Sequence, residues 1–238
     1  MLIDLHVHAP PSDSALAPFI ARAAEVGLDG FAVLGDDAFA GVAAFRARDD
    51  VVVFGGAEVV TDRGHYLLFV PEFERLPPLD ELLGPRVEGV WPVRDVLVRA
   101  QALGGAVVAA HPYDVSVDHP GGDILFTVPY VSAVEAVFSA RPPGFSRPAV
   151  EAADVLGLPC VGGSGAREPD MLGDAATLFA DEFRDEAGLV KALRSGSCWP
   201  VDRSAPPPAL LHPCSRPSSG AADSSHHDGA PAYPRRRR

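Results

Sequence analysis

Residues 4–8 read DLHVH, two histidines separated by a single valine. Leu2, Ile3, Leu5 and Val7 make this opening segment a buried strand. Positions i and i+2 of a strand point to the same side, so His6 and His8 share a face. Two imidazoles so placed can grip one metal ion, or can be solvated groups at a polar strand end. Partners elsewhere in the chain decide between these.

Working outward, strand-like and helix-like segments alternate. Residues 14–27 carry apolar side chains at helical spacing (Leu16, Phe19, Ile20, Ala23, Ala24), with Ser14 as a helix start and Gly27 as a stop. Strands are expected at 29–34, 51–60, 65–70, 106–110, 132–138, 158–164 and 176–180. Helices are expected at 38–50, 91–105, 146–157 and 186–196, with a proline-spotted connection over 71–91. Such alternation predicts an α/β fold with a largely parallel sheet, open or closed into a barrel. There is no GxGxxG after the first strand and no phosphate-binding P-loop, which argues against dinucleotide and NTP chemistry.

On this map the polar residues converge. His6 and His8 end the first strand, Glu58 ends the third, His65 opens the fourth, and His111 follows AVVAA. Active sites of parallel α/β folds are built at the rim formed by the carboxyl ends of the strands. Four histidines and a glutamate on one rim suit zinc, manganese or iron. No HExxH pair occurs, so the fold itself has to assemble the site. The loop holding Asp114, Asp118, His119 and Asp123 reads as solvated, and GGSG at 162–165 as either a tight turn or a nest of phosphate-binding amides.

Charge divides the chain. Residues 204–238 hold five arginines and two acids, so of 20 basic and 32 acidic residues, 15 and 30 fall in residues 1–203. The body is therefore −15 and the tail +3, and an acidic body repels a nucleic-acid backbone. The tail has seven prolines and six serines without apolar periodicity, a composition that reads as disordered. Domains are thus expected at 1–203 and 204–238. No apolar run is long enough to cross a membrane and no signal peptide is visible. Three scattered cysteines point to a reducing, cytoplasmic setting.

The order and spacing of six elements resemble the PHP (polymerase and histidinol phosphatase) family of metal-dependent phosphoesterases. DLHVH with SDS (12–14) resembles the opening HxH and SDG elements, and GLDGFAVLGDD (27–37) the family's GLDAIAITDHD. GGAEVVTDRGHYLLFV (55–70), AAHPYD (109–114), VEAVFSA (134–140, with Glu135) and VGGSGAREPDMLGDAATLF (161–179) resemble the later elements. The resemblance implies a distorted (β/α)7 barrel over residues 1–203. It also implies up to two divalent ions (Zn, Mn or Fe), one held by His6, His8 and Glu58 and one by Glu58, His65 and His111.

Departures fall in two elements. Asp36 stands where the family has a histidine, Gly165 where it has a metal-binding aspartate, and Arg167 where it has a second histidine. Neither glycine nor arginine offers a ligand atom. Asp13 and Asp36 would be the remnant of a third metal site, with Arg167 in the metal's place and able to clamp phosphate. The expected activity is hydrolysis of a small phosphorylated substrate, with Glu58 and Arg167 as catalytic groups. The alternatives are a non-catalytic binding protein on the same fold and a hydrolase of a non-phosphate bond. Neither a nucleic acid nor a membrane is an expected partner.

Overall fold

The computed structural model of the protein describes residues 1–36, 51–139, 146–204 and 209–210. The expected helix at 38–50 lies outside the described residues.

Strands β1 (Leu2–Val7), β2 (Gly30–Asp36) and β3 (Val52–Thr61) pair in parallel, with α1 (Asp13–Val26) between the first two. Gly27 stops α1 in the left-handed conformation that glycine adopts without steric cost. Only Asp62 and Arg63 separate β3 from β4 (Gly64–Phe69), too short a link for a crossover, so these two strands are antiparallel. Helices α2 (Leu79–Leu83) and α3 (Val93–Ala102) lead into β5 (Ala106–Ala110), which pairs antiparallel with β4 and parallel with β6 (Ala133–Phe138). Helix α4 (Ser146–Leu156) and β7 (Cys160–Gly163) complete a seven-strand run. On the other side of β1, β8 (Ala175–Phe179), β9 (Cys198–Asp202) and β10 (Ala209–Leu210) add an antiparallel flank, and α5 (Glu186–Ser195) lies between β8 and β9.

The run from β1 to β7 curves into a nearly closed barrel. Beyond β7, Gly165 N–H donates to His6 O and His8 N–H donates to Ala166 O, both at 2.8 Å, and Val7 bridges Ala166. The sheet is mixed rather than largely parallel: four strand pairings are parallel and five antiparallel. The difference comes from the short β3–β4 link and from the flank, of which β9 begins where the sequence pattern had already ended. Ala209–Leu210, in the segment read as a tail, pairs with β9 at the edge of that flank.

Two apolar layers hold the barrel. One lies between the strands and helices α1, α3 and α4 and includes Leu16, Phe19, Phe31, Val53, Leu97 and Ala153. The other fills the inside, where Ile3, Leu5, Phe54, Leu67 and Phe69 meet Leu189, Val190 and Leu193 of α5. That helix closes one end of the barrel; the histidines occupy the other.

Two bulges set which side chains reach that open end. In β1 one extra residue lies between Asp4 and Val7, and in β6 one lies between Glu135 and Val137. A bulge shifts the alternation of side chains by one. Ile3 and Leu5 therefore face inward near the start of β1, and His6 and His8 face inward at its end. Asp4, fully buried, accepts from the backbone of His6, Ser164 and Gly173 and pins the first bulge to the chain beyond β7. Burial pushes its carboxyl up to about 6, against these three hydrogen bonds.

Candidate metal centre

Glu58 is the hub. It lies near the end of β3, and four imidazoles face its two oxygens. Oε1 has His65 Nδ1 at 2.9 Å and His111 Nε2 at 3.2 Å; Oε2 has His8 Nε2 at 3.2 Å and His6 Nε2 at 3.5 Å. Burial raises the Glu58 carboxyl, but the imidazoles outweigh it and hold the group far below the usual carboxylate range. His6, His8, Glu58, His65 and His111, drawn from four strand ends, stand together.

Two of the rings give one nitrogen to this centre and the other to an outer acceptor. His6 Nδ1–H donates to Glu135 Oε1 at 2.9 Å. His65 Nε2–H donates to the Asp118 carbonyl at 2.7 Å. His8 Nδ1 lies 3.0 Å from Asp36 Oδ1. Outer partners of this kind fix ring orientation and tautomer in metal sites, because a ring that donates from one nitrogen keeps a lone pair on the other. Burial lowers the proton affinity of His6, but the Glu135 and Glu58 carboxylates push it up to about 10. His65 is raised too: burial opposes this, and Glu58 prevails.

The arrangement fits a divalent ion. His6 Nε2 and His8 Nε2 face each other at 3.1 Å. Two ligands on one ion, each about 2.0–2.1 Å from it, stand about 3.0–3.4 Å apart. One ligand atom from each of His6, His8 and Glu58 falls within 4.8 Å of the others, and the same holds for Glu58, His65 and His111. The two groups share Glu58. A third group by distance is His6, His111 and Glu135. There Glu135 already takes the His6 ring proton on Oε1 and the His111 backbone N–H on Oε2, both at 2.9 Å, which marks it as an outer partner.

Of the remaining expected site residues, Asp36 meets the cluster at His8. Asp13 is exposed at the start of α1, and Arg167 is exposed just past Ala166. Among the described residues no hydrogen bond or ion pair joins Arg167 to Asp36 or Asp13. Asp36, mostly exposed, turns to His8 and so serves the first ligand group. Gly165 adopts a φ of 68° and gives its N–H to His6 O. A nest of free amides at 162–165 is not what forms: Gly162, Ser164 and Gly165 donate to Thr177, Asp4 and His6.

Two contributors were not read as such in the sequence. The Phe138 ring lies tilted 4.9 Å from His6 and 4.8 Å from His111, an apolar wall against the ligands. Glu135 joins His6 to His111. Its signal was a carboxylate in the middle of an otherwise apolar strand, since buried charges are rare without partners.

Comparison with known proteins agrees with this architecture. No curated protein matches the sequence. Residues 145–198 match the family described as PHP-associated. PsfC of Pseudomonas syringae PB-5123 superposes with a TM-score of 0.61 at 19% identity, over 81% of this chain and 88% of that one. A two-domain protein of Bacteroides vulgatus containing a predicted PHP-like metal-dependent phosphoesterase gives 0.58 at 16% identity, over 85% of this chain and 64% of its own. An amidohydrolase of Chromobacterium violaceum, solved with sulfate and no metal, gives 0.55 at 18%, over 80% and 96%. At such identities the shared property is the fold. Residues 145–198, which match that family model, include α4 and β7 of the barrel.

Proposed function

We propose that this protein is a metal-dependent phosphoesterase acting on a small phosphorylated substrate. The observation that carries the reading is the Glu58 carboxylate, bracketed by two imidazole pairs that form two ligand groups on one shared residue. His6, His8 and Glu58 would hold one divalent ion, and Glu58, His65 and His111 a second; zinc, manganese and iron all suit this donor set. Such ions supply an activated water and offset the charge that develops on the phosphoryl oxygens.

The chain's own residues do the rest. Glu135 and the Asp118 carbonyl orient the His6 and His65 rings, and the Asp36 carboxylate stands 3.0 Å from the His8 ring. Phe138 keeps water from one side of the ligands. Arg167 is tethered to the site through Ala166, whose carbonyl bonds His8 N–H, and carries an exposed guanidinium. A guanidinium binds phosphate with two parallel hydrogen bonds, so Arg167 is the substrate clamp. The acidic body disfavours nucleic acid and leaves attraction of a small anion to the bound ions and Arg167.

The test is metal content after purification without chelator, followed by turnover on a panel of phosphomonoesters. Bound metal with phosphate release supports the proposal. Absence of metal would sink it. Metal without turnover favours the binding-only reading, which Gly165 recommends because it removes one ligand from the rim. Turnover of amides alone would favour the hydrolase reading suggested by the amidohydrolase neighbour.

A further inference from the structure

We infer, building on the metal-centre reading above, that Glu135 is the positioning residue of the centre. One buried carboxylate fixes the His6 ring and the His111 backbone, and so spaces the two ligand groups across Glu58.

Three observations lead there. First, Glu135 is buried to 2% exposure, and both its oxygens are used: Oε1 by the His6 ring and Oε2 by the His111 backbone. His6 belongs to one ligand group and His111 to the other. Second, the β6 bulge follows Glu135 directly and the β1 bulge brackets His6, so each strand is bent where the two side chains meet. Third, β7 closes over the pair. A Cβ on Gly163 would strike His6 Cβ and stand 2.8 Å from Glu135 Oε1, so only glycine allows this approach.

The His111 bond has its own consequence. His111 has a φ of 27°, a left-handed conformation that strains a non-glycine residue. Its N–H is held by Glu135 in that conformation, which turns Nε2 toward Glu58.

Glu135 is an outer partner rather than a ligand. Oε2 already accepts from the buried His111 N–H. The His6 nitrogen on Glu135 is Nδ1, whereas the one facing His8 and Glu58 is Nε2.

Glu135→Gln tests this without changing shape. A glutamine has one acceptor oxygen where glutamate has two. With that oxygen on the His111 N–H, its NH2 faces His6 Nδ1 and forces the ring proton onto Nε2, the nitrogen that would bind metal. Zinc titration by calorimetry should then show affinity reduced about 10- to 100-fold for the group containing His8, with the His65 group nearly unchanged. The 15N imidazole shifts of His8 and His65 report which group is filled.

Equal loss from both groups, or none, overturns the inference. If the wild-type protein takes up no zinc, the metal-centre reading itself falls and this inference with it. If wild type binds and Glu135→Gln binds equally well, only the positioning role falls. Should the variant not fold, the zinc-loaded wild-type spectrum decides: His6 has its proton on Nδ1 if the inference holds, and a metal-bound Nδ1 refutes it.

Discussion

The floor of the site and its rim are built to different standards. On the floor, His6, Glu58, His111 and Glu135 are buried or nearly so, and each is held by at least two partners. On the rim, Asp36 is mostly exposed with one contact to His8, and Arg167 is exposed with none described. Every departure from the family pattern, at Asp36, Gly165 and Arg167, lies on the rim or next to it. Floor residues are coupled, so replacing one orphans others in a low-dielectric interior. Rim residues can change while the fold keeps its stability, which leaves them free to set what the site binds.

The hardest blow to the floor is Glu58→Ala. It removes the residue common to both ligand groups and should abolish nearly all metal uptake. That exceeds the roughly 100-fold loss expected from removing an outer partner. Metal analysis of the purified variant checks this, and full occupancy would show that the hub has been misplaced.

Asp4→Ala strikes beneath the floor. Three backbone N–H groups would lose their buried acceptor, at a cost of about 3 kcal/mol or more. Denaturant unfolding of the metal-free variant measures it. A change under about 1 kcal/mol would mean that the β1 bulge stands without its pin.

Protons sharpen the contrast further. His6 is pushed up to about 10 in the metal-free protein, so a metal must displace its proton at neutral pH. Affinity should therefore rise with pH, about tenfold per unit for one displaced proton, up to near pH 10. The same shift has a stability sign. The His6 contribution is fully present below the ordinary histidine value of 6.5 and is lost as pH rises through about 10. Flat metal affinity between pH 6 and 8 would contradict the ring's protonation.

The rim should yield the smallest effects. Arg167→Ala is expected to leave metal content unchanged and to raise KM for a phosphomonoester while the melting temperature stays put. Asp36→Ala should weaken metal binding less than Glu135→Gln, because an exposed partner is screened by solvent. If Asp36→Ala proves the more damaging, the distinction between floor and rim fails.

Much of this was legible in the chain. The apolar runs located β1, β2, β5 and β6 to within a residue or two, and the HxH spacing put His6 and His8 on one face. Glu58, His65 and His111 could be gathered because strand ends converge. The bulges were not legible, since one extra residue in a strand has no compositional mark. Antiparallel pairing of β3 with β4 was hidden because apolar runs carry no direction, although the two-residue link could have disclosed it. Glu135 was visible as a residue but not as a role: its partners lie 129 and 24 positions away.

The placement of β1 bears on the order in which the protein assembles. β1 lies between β2 and β8, with Leu2 opposite Leu178 and Val7 bridged to Ala166. A ribosome delivers β2 soon after His6 and His8, yet the partners on the other side, Ala166 and β8, come some 160 to 175 residues later. Contacts so distant along the chain make folding slow, because loop closure precedes the gain from pairing. Until then the nascent first strand is an apolar ribbon with an open edge, a target for chaperones and for misassociation. Ion capture therefore belongs to the end of folding: His6 and His8 are made well before β8 but become useful only after it.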